Sequence, residues 1–300
     1  MASIWQILEL ARSKGTLMSR RRPTSFALNS ELDLHVLPGF EDNYFYLLSN
    51  RRLKNCAVVD PGAAPPLLDA IKSLGLELTD ILLTHHHRDH TGGVPTLKAE
   101  HPNAKIICSE WFKIPDIWQS NNVSRLKAGG SDRISVLEQP VGGLDVRGHT
   151  VDHIAFMFFD PVNHTQVNDV FVGDALFGAG CGGLFEGSYE QMFAALNRLR
   201  KLPSSSRLWC AHEYTLKNLR VAVQLGEVNR LQTERLASIE RSVALAGVLE
   251  HEWMTIPLTI AEEIETNPFF RWDSPNLQKA IDTRDGLETF TQVRKFRDKF

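Results

Sequence analysis

The order of apolar runs predicts an α+β fold: two packed sheets flanked by helices, then a region of helices alone. Three observations carry this. Over residues 32–210, short alternating or wholly apolar runs recur, closed by Gly, Pro or Asp and separated by amphipathic stretches. After Tyr214 the periodic segments all have helical spacing, which sets a domain boundary at residues 214–216. Finally, in residues 82–93 four histidines and an aspartate follow directly on an apolar run.

Leu32-Asp33-Leu34-His35-Val36 alternates apolar and polar, as a half-buried strand does, and Pro38-Gly39 closes it. Residues 44–48 and 56–59 are the next strands, the second ended by Asp60-Pro61-Gly62. A helix is expected over 66–74, where Leu67, Leu68, Ile71 and Leu74 share one face. A buried strand ends over 80–83, and a helix with Pro95 in its first turn spans 94–100. Strands follow at 105–108, 132–137, 144–146, 154–159 and 170–172. Residues 154–159 are apolar throughout, as in a strand covered on both faces. An amphipathic helix over 189–202 precedes a last short strand at 208–210. Helices are then expected over 216–225, 228–246, 259–265 and 288–300.

Three hundred residues suffice for a sizeable core in one or two domains. Hydrophobic residues make up 43% and charged residues 23%, ordinary for a globular protein. A net charge of −3 argues against a nucleic-acid surface. No apolar run approaches the ~20 residues of a membrane span, and no obligate protein partner is implied. Cys56, Cys108, Cys181 and Cys210 lie far apart with no CxxC spacing, which suits free thiols in a reducing compartment. Residues 1–31 stand apart, with Arg12, Lys14, Arg20, Arg21 and Arg22 against one acid, Glu9, and with several serines. That composition fits either a mitochondrial targeting segment or a basic extension, so the expected location is the cytoplasm or the mitochondrial matrix.

Side chains alternate at a strand end, so His85 and His87 are expected to point one way and His86 the other. Asp89 and His90 come from the bend that follows. Burying such a cluster without partners is costly, which argues for a metal over simple packing. Three later strand ends offer further donors: His149 in Gly148-His149-Thr150, Asp174 after Val172-Gly173, and His212 in Ala211-His212-Glu213. Each is weak alone, since a lone strand-end histidine is usually structural and an aspartate there can cap a turn. Together they complete a binuclear site. His85, His87 and His149 take one divalent ion, Asp89, His90 and His212 the other, and Asp174 bridges ions ~3.5–4 Å apart. Zinc suits these donors, with iron or manganese compatible. His153 is expected to orient a ligand or sit in the core, His35 to lie on the polar face of its strand, and His101, His164 and His251 to lie at the surface.

Thr84-His85-His86-His87-Arg88-Asp89-His90 matches the T-H-x-H-x-D-H signature of the metallo-β-lactamase superfamily. With Asp42-Asn43-Tyr44, Val59-Asp60-Pro61-Gly62, Phe185-Glu186-Gly187, Ala211-His212-Glu213-Tyr214-Thr215 and Asn267-Pro268-Phe269, the chain from Leu32 to Phe300 resembles the hydroxyacylglutathione hydrolase, or glyoxalase II, family. The resemblance implies an αββα catalytic sandwich over 32–214 and a helical substrate-binding domain over 215–300. It implies hydrolysis of S-D-lactoylglutathione, or a related 2-hydroxyacyl thiol conjugate, to D-lactate and free thiol. A metal-bound hydroxide would attack, with Asp89 and Asp174 as the working carboxylates. Thiol-peptide contacts carry over onto Gly183, Phe185, Tyr214, Arg294 and Arg297. The two arginines lie one turn apart on the last helix, where a guanidinium fork suits a carboxylate.

The resemblance also exposes departures. Family members commonly carry Lys or Arg where this chain has Gly183, often Tyr where it has Phe185, and usually proline where it has Arg147. Loss of the cation implies weaker glutathione binding or a different thiol carrier. Rival readings are a mononuclear-iron persulfide dioxygenase of the same fold, and a non-catalytic member that binds a thiol ligand.

Overall fold

Strands between residues 24 and 126 form one mixed sheet. The structure, a computed structural model, describes residues 23–118, 122–129, 132–227, 229–249 and 254–300. Internal contacts divide the chain into two compact units, Met1–Gly143 and Leu144–Phe300. In the first, β1 (Thr24–Ala27), β2 (Leu32–Gly39), β3 (Asn43–Asn50), β4 (Asn55–Val59), β5 (Glu77–Leu82), β6 (Lys105–Ser109) and β7 (Val123–Leu126) lie side by side in chain order. β1 to β4 pair antiparallel and β4 to β7 parallel. Parallel neighbours need crossovers. α1 (Pro65–Leu74) joins β4 to β5, while α2 (Arg88–Thr91) and α3 (Val94–Glu100) join β5 to β6.

Leu67, Ala70 and Ile71 of α1 and Val94 and Leu97 of α3 share a core with Phe45, Leu47, Val58, Ile81 and Ile106. Tyr44, Tyr46 and Leu48 alternate with that set on β3, and they are buried too. β8 (Ile134–Val136) and β9 (Gln139–Asp145) form a hairpin where the first unit ends.

The second unit is built on β10 (Ile154–Phe159), antiparallel to β11 (Val167–Gly173). A small hairpin, β12 (Leu176–Phe177) and β13 (Gly180–Cys181), and then α4 (Tyr189–Arg200) lead to β14 (Arg207–Cys210), parallel to β11. Ser188 and Gln191 form a reciprocal capping box at the start of α4. α5 (Thr215–Ala222), α6 (Arg230–Leu249), β15 (Leu258–Thr259), α7 (Ile260–Thr266), α8 (Pro275–Ala280) and α9 (Gly286–Arg297) complete it. Phe290 of α9 packs between Phe193 of α4 and Phe269, at ring separations of 5.9 and 5.8 Å.

Three expectations are corrected. Thr24–Ala27 is a sheet strand, so the supposed extension over 1–31 stops sooner; its residues 1–22 lie outside the described ones. The region after Tyr214 is not wholly helical, since β15 pairs with β14. Two residues are too short for any periodicity, so only the neighbour reveals the strand. Residues 88–91, expected as a bend, form the short helix α2.

Asp169 anchors the middle of the second unit. Its buried carboxylate accepts from Trp209 Nε1 at 2.8 Å and from Arg207 Nη2 at 2.7 Å. Asp169→Ala removes an acceptor that a buried indole N–H and a half-buried guanidinium share. Urea unfolding should show a loss of about 3 kcal/mol; a change within about 0.5 kcal/mol, the usual surface range, would contradict this account.

Candidate active site

In the first unit, parallel register sets the site. Val59 pairs with Leu82, so β4 and β5 end level, and Asp60 falls beside Thr84. Asp60 adopts a left-handed φ of 49°, which is uncommon for aspartate and marks a place where function holds strain. Its carboxylate accepts from the Thr84 backbone N–H at 2.8 Å and the Thr84 hydroxyl at 2.6 Å. Because the hydroxyl donates to Asp60, His85 Nδ1 is the donor in its 3.0 Å contact with Thr84 Oγ1. His90 Nδ1 also donates to Asp60, at 3.0 Å. Both Nε2 atoms are thereby left as lone-pair nitrogens. His90 Nε2 stands 3.3 Å from Asp89 Oδ2, which also accepts from Asn43 Nδ2 at 3.2 Å. His87 lies against His85 with ring centroids 4.7 Å apart, while His86 is exposed.

In the second unit, the same logic gathers His149, Asp174 and His212. Gly173 pairs with Cys210, so β11 and β14 end together and release Asp174 and His212 side by side. β10 runs antiparallel to β11, which brings the residues before it to the same end. His149 Nε2 lies 3.4 Å from Asp174 Oδ2, and His212 Nε2 lies 3.4 Å from Asp174 Oδ1. His149 Nδ1 donates to Gly183 O at 2.8 Å. His153, fully buried, accepts from the Asp174 backbone N–H at 3.1 Å.

Gly148, at φ 153°, occupies a conformation few other residues adopt, and a Cβ there would meet Met192 Cα at 2.7 Å. Arg147, where proline was expected, ties this turn through paired bonds of 3.0 Å to Asp145.

The donor chemistry fits metal ions. Two ligands about 2.0–2.1 Å from one tetrahedral ion stand ~3.3–3.4 Å apart, which is the spacing of His90 with Asp89 and of Asp174 with its two histidines. Sequence reasoning singled out these donor side chains but missed the residues that support them. Asp60, Asn43 and Thr84 lay within quoted motifs, yet nothing in the spacing tells a supporting carboxylate from a coordinating one. Donor atoms of Asp60, His85 and His90 all lie within 4.8 Å, but the Asp60 oxygens are already accepting hydrogen bonds.

The residues expected at the thiol also lie in the second unit. Phe185 is 73% exposed and sets its ring edge-on to His149 at 5.2 Å. Tyr214 stacks flat on His212, 4.9 Å away and tilted by 7°. Gly183 is open: a Cβ would meet only the Phe185 ring, at 3.7 Å. Arg294 and Arg297 do share a face, but it is the inward one. Arg294 is 4% exposed and bonds to Cys181 O and Asp298, and Arg297 Nε donates to Asn218 Oδ1 at 3.0 Å. All four cysteines are buried and none is in a disulfide.

Comparison with known proteins gives the class first. The family described as "Metallo-beta-lactamase superfamily" matches residues 39–212. A metallo-beta-lactamase from Staphylococcus aureus superposes with a TM-score of 0.56 at 20% identity, over 85% of this chain and 68% of that one. ETHE1 from Myxococcus xanthus gives 0.53 at 20% identity, over 91% and 90%. The protein therefore has the α+β metallo-β-lactamase fold. The family described as "Hydroxyacylglutathione hydrolase C-terminus" matches residues 213–300. Hydroxyacylglutathione hydrolases from Cyanothece sp. and Synechocystis sp. are 40% and 38% identical to it, each over 90% of this chain and 100% of the relative. The chain belongs to the hydroxyacylglutathione hydrolase family of thioester hydrolases.

Removing the carboxylate beneath His85 and His90 tests the supporting role of Asp60. In Asp60→Ala, chelator competition should show metal affinity lowered ~10–100-fold while the fold survives. Unchanged affinity would show that the two imidazoles hold their aim without it.

Proposed function

We propose that this chain hydrolyses S-D-lactoylglutathione, or a related 2-hydroxyacyl thiol conjugate, to D-lactate and free thiol. In this reading the two half-sets act together around two divalent ions, with zinc preferred over iron or manganese. His85, His87 and His149 would hold one ion and Asp89, His90 and His212 the other, with Asp174 a carboxylate available to both. The observation that carries the reading is the state of the imidazoles: His85, His90 and His149 each spend Nδ1 on a neighbour and so offer Nε2. Family membership supports joining the half-sets, since one superfamily match runs through both. The family matches abut at residues 212 and 213, which supports a catalytic region over 32–214 and a substrate-binding region over 215–300.

Divalent ions bound there would bring the pKa of a water towards ~7 and polarise a carbonyl oxygen. The chain's own groups do the rest. Asn43 holds Asp89 through Oδ2, so that carboxylate is aimed to orient a water and take its proton. Phe185 and Tyr214, against His149 and His212, give the thioester an apolar approach. Arg297, half-buried, is the cation for a carboxylate of the thiol peptide. A thiolate leaves readily and needs little acid help. Four free thiols support a reducing, cytoplasmic setting; the mitochondrial alternative rests mostly on residues 1–22, outside the described ones.

Thioester hydrolysis should be assayed with metals quantified on the same sample. Two ions per chain and release of D-lactate are expected. A single iron with oxygen uptake on a glutathione persulfide would favour a dioxygenase, and a metal-loaded protein inert towards thioesters would favour a non-catalytic member.

The loop has space for the cation it lacks. Gly183→Arg should lower KM for a glutathione thioester about tenfold, as a charge-assisted contact worth ~1.5 kcal/mol implies. An unchanged KM would place the thiol peptide elsewhere.

A further inference from the structure

The first unit holds a cavity of about 700 Å³ that none of the proposed thiol contacts lines. Phe40, Ala63, Pro65, Arg88 and Thr96 line it, and so does Asp89. The turn between β2 and β3 is shaped to present Phe40 there. Gly39 ends β2, and a Cβ on it would meet the Phe45 ring at 2.2 Å, so only glycine lets that ring lie so close. Phe40 follows with a left-handed φ of 47°, uncommon for a bulky residue, and stays 48% exposed. Its ring meets Phe45 at a right angle, with centroids 5.5 Å apart, and a Cβ on Gly62 would come within 2.9 Å of it. Backbone strain of this kind collects at active sites and ligand clamps.

We propose that this cavity takes the acyl chain of the thioester, and that Phe40 sets the chain length preferred. This rests on the reading of the chain as a thioester hydrolase that works at Asp89. Asp89 lines the cavity, and Asn43, which opens β3 just after the Phe40 turn, donates to its Oδ2 at 3.2 Å. One turn therefore carries both the exposed aromatic and the amide that holds the carboxylate. The thiol contacts proposed above, Phe185, Tyr214 and Arg297, all lie in the second unit. They leave the acyl half of the substrate with no side chain of its own.

Size and chemistry both favour an apolar chain longer than the single methyl of lactoyl. Pockets of roughly 300–1,000 Å³ enclose molecules far larger than a three-carbon acid. Phe40, Ala63 and Pro65 present carbon only. Arg88 is exposed, and its Cγ would lie 3.6 Å from a Cβ on Gly92, so its stem adds methylene surface beside a head left in water. Thr96, exposed on α3, contributes a methyl and a hydroxyl. Carbons beyond the hydroxyl-bearing one are what such walls select, at about fourfold for each methylene buried.

The test measures kcat/KM of the holoenzyme on glutathione thioesters of lactate, 2-hydroxybutanoate, 2-hydroxypentanoate and 2-hydroxyhexanoate, with metal content determined on the same samples. In the wild type the value should rise about fourfold for each of the first two added methylenes. Phe40→Ala should flatten the series, lowering the preference for hydroxyhexanoyl over lactoyl about tenfold. Thr96→Trp, which fills the cavity from an exposed helix position, should reverse it, with KM rising as the chain lengthens. Both variants should keep their metal.

A wild-type series that is flat, or that falls with chain length, would overturn the proposal. Either folded variant keeping the wild-type length preference would overturn it as well, whatever its absolute rates. Loss of metal together with an equal loss of rate on all four thioesters would reduce Phe40 to a prop for Asp89, and overturn it too. Should circular dichroism show Phe40→Ala unfolded, Thr96→Trp decides. A metal-loaded wild-type protein that hydrolyses none of the four would instead defeat the proposed function, a result read before any variant is made.

Discussion

An imidazole offers one nitrogen reliably only when the other is held. That constraint organises the ends of the strands in both units. In the first, Asp60 accepts a hydrogen bond from His90 directly, and the Thr84 hydroxyl that donates to Asp60 accepts one from His85. In the second, Gly183 does the same for His149 with a backbone carbonyl. One support is a strained side chain and the other is a loop gripped from outside, yet each leaves Nε2 as the acceptor. The supports also explain why the flanking turns are so constrained, with a left-handed aspartate at Asp60 and glycines at Gly148 and Gly182.

Level strand ends make this possible. β4 and β5 are parallel neighbours, as are β11 and β14, so consecutive elements release their chains at the same edge. Donor side chains far apart in sequence then need no long reach. The crossovers serve this arrangement as well. α1 and α3 bury their apolar stripes on one face of the first sheet, which fixes where β5 stops and the histidines begin.

Much of this was legible before any coordinates. His85, His87, Asp89, His90, His149, Asp174 and His212 were marked by residue type at the ends of apolar runs, a local signal. The supporting residues were not, because support is a matter of who meets whom across the fold. Asp60 resembles any aspartate in a turn until Thr84 is placed beside it. Arg294 and Arg297 illustrate the same limit. Helical spacing correctly placed them on one face, but spacing cannot tell a face turned to solvent from one turned inward onto Cys181 and Asn218. β15 escaped notice because two residues carry no period, and β1 because its strand character comes from its neighbour β2.

The sulfur of Cys181 lies beneath the loop where a thiol product is proposed to leave. Burial pushes its pKa up to about 11, outweighing the pull of Arg294. At neutral pH the reactive anion is then on the order of one molecule in ten thousand. An exposed cysteine at this position would invite exchange with every oxidised thiol passing the site. Sealed under the arginine, it is chemically silent, and the protein can handle small thiols without becoming covalently attached to them.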